Sequence, residues 1–174
     1  KGVYVLAANP IAFSFGSLVS FAEVNHSNQL NFVTDVTAFT ELQPDVALSQ
    51  LSGFNQTQTL QKIQRVRKLD NERIIFDLNY FASGLISGLT PAIASNSIYN
   101  YIEEQLHLKI GFARRTIQVE MASALDKQNL DLQAFDLVVV VRNWVHLNDG
   151  QLFEYTESRH RPDRFVFTEF VRRR

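Results

Sequence analysis

Alternation of hydrophobic and polar positions, with a period of two, dominates this chain. From Asn31 to Leu42, NFVTDVTAFTEL, one row of Phe32, Thr34, Val36 and Ala38 alternates with Val33, Asp35, Thr37 and Phe39. The run is rich in β-branched residues and predicts a long strand. Residues 57–69 and 72–81 form two further β-rich runs separated by Asp70 and Asn71, and a two-residue link of that kind predicts an antiparallel hairpin. LKIGFARRTIQVEMA, residues 108–122, predicts a strand with Ile110, Phe112, Arg114, Thr116, Gln118 and Glu120 on one face. DLVVVVRNWVHL, residues 136–147, is the most apolar run and is expected at the sheet centre. Asn148, Asp149 and Gly150 then signal a hairpin into QLFEYTESRHR, and DRFVFTEFVRR alternates again.

Helical spacing is confined to short pieces. Leu18, Phe21 and Val24 follow Ser17, a capping residue type. Pro44 stands at a first-turn position ahead of Val46, Leu48 and Leu51, all expected to be buried. Ser97 is placed to cap a helix carrying Ile98, Tyr101, Ile102 and Leu106 on one face. Ser123 with Asp126 forms a capping-box variant ahead of Leu125, Leu130 and Leu132. At the start, residues 1–7 read as a short β-like piece, and Pro10 breaks any further pattern. The sum is an α+β domain, an antiparallel β-sheet flanked by short helices.

Composition narrows the class. At 174 residues with 45% hydrophobic side chains, the chain can bury a core and lacks the signature of disorder. A formal net charge of -1 leaves no global pull on nucleic acid or an anionic membrane, so anion binding must come from local clusters. There is no cysteine, which excludes disulfides and thiolate chemistry and suits a cytoplasmic protein. No run approaches the ~18 apolar residues of a membrane span, and no membrane contact is expected.

EYTESRHRPDRFVF, residues 154–167, concentrates charge on a stretch that also reads as strand. Alternation puts Glu154, Thr156, Ser158 and His160 on one face, and Tyr155, Glu157, Arg159 and Arg161 on the other. Glu154 can accept bonds from sugar-like hydroxyls and His160 can donate to an anion, or the stretch is a sheet edge kept soluble by charge. Arg159, Arg161, Asp163 and Arg164 are expected to pair with one another or with neighbouring strands. Arg65 and Arg67 leave the same face of the predicted hairpin with Asp77 opposite, which makes either an anion cradle or a solvated ion pair. Ser97 is either a plain cap or part of an anion site at a helix start, with Tyr99 in the first turn. The histidines His26, His107 and His146 lack metal-ligand spacing, and no nucleophile elbow of the GxSxG type exists. Arg114, Arg115 and the three terminal arginines read as solvated charge.

Taken in order, SLVSFAE, RVRKLDNERIIFDLNYF, NSIYNYIEEQLHLKIGFARRTIQVE, LVVVVRNWVHLNDG and FEYTESRHRPDRFVF resemble the effector-binding (UTRA) domain of GntR-superfamily repressors of the HutC subfamily. The resemblance covers essentially the whole chain. It implies a chorismate lyase-like fold, a sensor rather than an enzyme, and no cofactor beyond its effector. The phosphate of a sugar-phosphate inducer is then expected on Arg65, Arg67, Ser97 and Tyr99, and the sugar on Asp77 and Glu154, with His160 where a Tyr is frequent. Asp77 replaces a more usual Glu, and its shorter reach is expected to make room for a second sugar ring. Ser20 and Phe21 match the loop that closes over the ligand. SIYNYIEEQL, VVVVRNWV and EYTESRHR look most like members that answer to trehalose 6-phosphate; a sensor of another sugar phosphate is the first alternative. A chorismate lyase-like enzyme using the same arginines and a purely structural dimerisation module remain further alternatives. The resemblance also implies a homodimer and operator DNA binding through an N-terminal winged helix that this chain lacks, with residues 1–7 the end of its wing or linker and residues 8–174 the effector domain.

Overall fold

The computed structural model describes residues 11–14, 31–169 and 172–173; the helix expected around Leu18, Phe21 and Val24 lies outside them. Six strands form one antiparallel sheet. In chain order these are β2 (Val33–Leu42), β3 (Leu60–Leu69), β4 (Glu72–Ala82), β5 (Ile110–Met121), β6 (Leu137–Leu147) and β7 (Leu152–His160), following a short β1 (Ile11–Ser14). Their spatial order is β2-β3-β4-β7-β6-β5. Strand β1 pairs in parallel with β8 (Phe165–Thr168) as a separate two-stranded sheet. Extended structure is thus present directly after Pro10, where the sequence predicts a break. Proline forbids a donor at its own position only, and β1 begins one residue later.

Both expected hairpins are present. Asp70 and Asn71 adopt φ of 52° and 64°, the left-handed pair that a tight two-residue turn between twisted strands requires. At the β6–β7 turn, Gly150 takes φ of 89° and its amide donates to the Leu147 carbonyl over 2.9 Å. Strand β6 is interior but lies one place in from the edge, and the centre is the β4–β7 pair. Its valine run reports cover on both faces and carries no information about order in the sheet.

One face of the sheet is covered by α2 (Pro91–Ala94) and α3 (Ile98–Asn100), which runs on into a π-helical segment, Tyr101–Gln105. Ala94, Ile98 and Ile102 pack there on Ile63, Phe81 and Val145. The opposite face is covered at one end by α1 (Val46–Ser52) and at the other by Leu130 and Leu132, which follow α4 (Ala124–Asn129). In α1 the cap is Asp45, whose carboxylate accepts from the Leu48 amide over 2.7 Å, and Pro44 stands outside the helix. Val46 and Leu51 are exposed, against expectation, while Leu48 packs beside Trp144 and Tyr155. Two helical turns lying on a flat sheet bury only one i, i+4 row, here Leu48 and Ser52. No helix among the described residues is long and apolar enough to cross a membrane.

Between α1 and α4, the face they share is crossed by a chain of charges. Glu157 and Arg159 of β7 meet Arg142 of β6, Glu120 of β5 and Asp126 of α4. Asp126 is fully buried and serves twice. It completes a capping box with Ser123, and it accepts from Arg159 Nε over 2.6 Å. Beyond β7, Arg161 and Arg164 both bond Glu72, and Arg161 also bonds Asp163. The pairing expected of the late arginines is thus present. Removing Asp126 leaves a buried guanidinium short of a carboxylate and uncaps α4, so Asp126→Ala is expected to lower unfolding free energy by about 3–5 kcal/mol. Urea unfolding checks this, and a loss below about 1 kcal/mol would contradict it.

Candidate functional site

On the face covered by α2 and α3, the cross-strand register gathers polar side chains into three adjacent rows. The first runs Arg115, Asn143, Thr156, Asn79 across β5, β6, β7 and β4. The second runs Ile117, Val141, Ser158, Asp77, Arg65, and the third Val119, Val139, His160, Ile75, Arg67. A row of this kind follows from the sheet itself, because residues in register on antiparallel strands point the same way and neighbouring strands lie about 4.8 Å apart. Arg65, Arg67, Asp77, Asn79, Glu154, Thr156 and His160 are all buried.

The two arginines are held differently. Arg67 donates from Nε to Asp77 Oδ2 over 2.7 Å and from Nη1 to Thr34 Oγ1 over 3.1 Å. Among the described residues, the hydrogen-bond partners of Arg65 are neutral: Nε donates to Asn79 Oδ1 over 3.1 Å and Nη1 to the Ala94 carbonyl over 3.3 Å. Burial and the neighbouring Arg67 charge pull the Arg65 guanidinium down to about 10, against partial support from the Asp77 and Glu154 charges. Burial pushes the Asp77 carboxyl up, but Arg67 and Arg65 outweigh it and hold the group below its ordinary value.

Glu154 is the second focus. Its Oε1 accepts from Thr156 Oγ1 over 2.6 Å and from Asn79 Nδ2 over 3.2 Å, and its Oε2 accepts from the Tyr99 hydroxyl over 2.8 Å. Burial raises the carboxyl despite these donors. The Tyr99 phenol is pushed well up by burial and by the Glu154 charge, so it stays a donor. Asn79 joins the halves, accepting from Arg65 and donating to Glu154 and Thr156. Ser97 caps α3 through its Oγ, which accepts from the Asn100 amide over 3.2 Å.

The chain matches the UTRA domain over residues 27–166. It belongs to the UTRA domain family. It is 39% identical over 173 residues, 99% of this chain and 73% of the relative, to the HTH-type transcriptional regulator TreR of Bacillus subtilis (strain 168). The solved effector-binding domain of the B. subtilis trehalose repressor superposes with a TM-score of 0.75 at 41% identity, covering 81% of this chain and 98% of that one. The effector domain of PhnF from Mycobacterium smegmatis shares the fold, with a TM-score of 0.80 at 19% identity over 94% of this chain and 100% of that one. Family and fold place this UTRA domain among the effector domains of transcriptional regulators.

Of the residues singled out from the sequence, Arg65, Arg67, Asp77, Tyr99 and Glu154 are brought into one bonded or electrostatically connected patch. Ser97 sits at its rim through α3, and His160 stands at the end of β7, in register with Ile75. Ser20 and Phe21 lie outside the described residues. Asn79 was overlooked, although its position two after Asp77 on one strand already puts both on the same face. Arg115 departs from the expectation of solvated charge: it is about half buried in this UTRA face and donates from Nε to Asn143 Oδ1. The available signal was its company, since Ala113, Ile117 and Val119 make its row of β5 apolar. Arg114 points the other way and stacks on Trp144, its guanidinium carbon 4.0 Å from the ring centre.

His160 supplies a pH signature. Burial lowers its imidazole to about 4, with the Asp77 charge opposing and Arg67 assisting. A lowered folded-state pKa means the unfolded chain binds more protons between the ordinary value and about 4, so this group contributes stability that is lost as pH falls through that window. The expected contribution is on the order of 3 kcal/mol between pH 6.5 and 4. Urea midpoints measured across this range should fall less steeply for His160→Gln than for the unsubstituted UTRA domain, and parallel curves would refute the assignment.

Proposed function

We propose that this UTRA domain senses a sugar phosphate, with trehalose 6-phosphate as the inducer, and that occupancy alters operator DNA binding by a winged-helix domain joined to its N-terminal side. The observation that carries this reading is Arg65. It is a buried guanidinium with neutral hydrogen-bond partners, next to a second guanidinium that is already paired with Asp77. Such a group is costly in an apolar surrounding until an anion arrives. A dianionic phosphate neutralises it, accepts from its planar fork, and relieves the repulsion between Arg65 and Arg67. The start of α3 adds the Ser97 hydroxyl on the helix side, while Tyr99 in the same turn holds Glu154. Glu154, Thr156 and Asn79 supply the acceptor, hydroxyl and amide that hold sugar hydroxyls.

The trehalose repressor of B. subtilis supports the choice of sugar, because its name and its likeness to this chain point the same way. Regulation follows if the chain works as a homodimer in the cytoplasm and the inducer prefers one arrangement of the paired domains. A ligand shifts such an equilibrium only by its difference in affinity for the two states.

Calorimetry and thermal melting with trehalose 6-phosphate, trehalose and glucose 6-phosphate test the reading. Trehalose 6-phosphate is expected to bind and to raise Tm, because it binds the folded chain alone. Comparable binding of trehalose would remove the phosphate role, and a larger effect from another sugar phosphate would reassign the inducer. Arg65→Ala is expected to weaken trehalose 6-phosphate by about 100-fold or more, the loss of a buried charge-assisted contact of ~3 kcal/mol. Arg114→Ala, on the opposite face, is expected to change it by less than about threefold. Equal effects of the two would count against the site.

A further inference from the structure

Arg115 and Asn143 stand at the far end of the patch from Arg65 and Arg67, and neither belongs to the phosphate or Glu154 groups. Strand β5 is separated from β3 by β6, β7 and β4. At about 4.8 Å per step, the two arginine-bearing strands lie roughly 19 Å apart across the sheet. Tyr99 reaches the patch between the two ends, at Glu154 of β7, which stands two strands from β3 and two from β5. Its hydroxyl is bonded to Glu154, which fixes the middle of the patch. The patch is therefore long, with cationic donors at both ends and a carboxylate in between.

We infer that Arg115 and Asn143 form a second sugar subsite, which makes the patch a site for a disaccharide phosphate and sets its preference over a monosaccharide phosphate. The inference rests on the sugar-phosphate reading of Arg65. Three features suit the β5–β6 end to an unphosphorylated ring. Arg115 Nε donates to Asn143 Oδ1, so the two side chains hold one another in the row that continues through Thr156 and Asn79. Beside them Ile117 and Val141 supply an apolar floor, in the row next to Arg115 and Asn143. Donors at the rim of an apolar floor match the edge and face of a pyranose ring. The other place where the sequence suggested extra room, beside the short Asp77 side chain, is committed to the Arg67 ion pair. A second ring at β5–β6 leaves that pair intact.

The test compares trehalose 6-phosphate with glucose 6-phosphate on the unsubstituted chain, on Arg115→Ala and on Asn143→Ala, by calorimetry, with melting curves confirming that each variant is folded. The unsubstituted chain is expected to favour the disaccharide phosphate. Arg115→Ala should weaken trehalose 6-phosphate about tenfold or more and change glucose 6-phosphate by less than about twofold. Asn143→Ala, which releases the Arg115 side chain, should erode the same preference. Both sugar phosphates binding equally to the unsubstituted chain, both weakening by one factor in Arg115→Ala, or an unchanged preference in both variants each overturns the second subsite while leaving the phosphate site standing. If neither sugar phosphate binds the unsubstituted chain, the phosphate reading and this inference are overturned together.

Discussion

Strand β7 is covered on both faces, and the need to compensate its buried charge organises the rest of the molecule. A carboxylate or guanidinium taken out of water without a partner costs several kcal/mol, so each one on β7 dictates what its neighbours must be. Glu157 and Arg159 face α1 and α4, where Arg142, Glu120 and Asp126 meet them in closed ion pairs. Glu154, one residue before Tyr155, faces α3, where hydroxyl and amide donors meet it instead. The two faces of one strand thus resolve the same problem differently. One is satisfied by charge within the chain. The other leaves Arg65 hydrogen-bonded to an amide oxygen and a backbone carbonyl.

That asymmetry also explains why the site is well held. Thr156 lies between Tyr155 and Glu157, so the strand that carries Glu154 is fixed from behind by the opposite face. Tyr155 packs against Tyr80 and Trp144 and donates to Glu157 over 2.8 Å. A binding group is positioned best when its support is rigid, and here the support is an ion-pair network and an aromatic cluster. Asp126 extends the connection to α4, so the same charges that hold the sheet also seat a helix on it.

Much of this was legible in the chain. Period-two alternation predicts the strands, and Asp-Asn and Asn-Asp-Gly predict the two hairpins. From these, the shared face of Arg65 and Arg67 with Asp77 follows by parity. Parity also separates Glu154, Thr156, Ser158 and His160 from Tyr155, Glu157 and Arg159, as found. What alternation does not carry is position in the sheet. The apolar β6 was expected at the centre, yet the centre holds the charged β7. Arg115 differs from the expected solvated charge, and the local signal is the apolar row of Ala113, Ile117 and Val119 in which it stands, whereas Arg114, in the other row, stacks on Trp144.

The sequence by itself determined which residues share a face, because side-chain direction along a strand depends only on the backbone of that strand. Tertiary structure alone decided which faces are covered, which charges find partners, and which strand lies at the centre. Those outcomes depend on register between strands distant in the chain, Ile75 against His160 or Arg115 against Asn143. What a buried charge is bonded to is decided by that register. Arg159 is hydrogen-bonded to buried carboxylates, whereas Arg65, although in register with Asp77, is hydrogen-bonded to an amide oxygen and a backbone carbonyl.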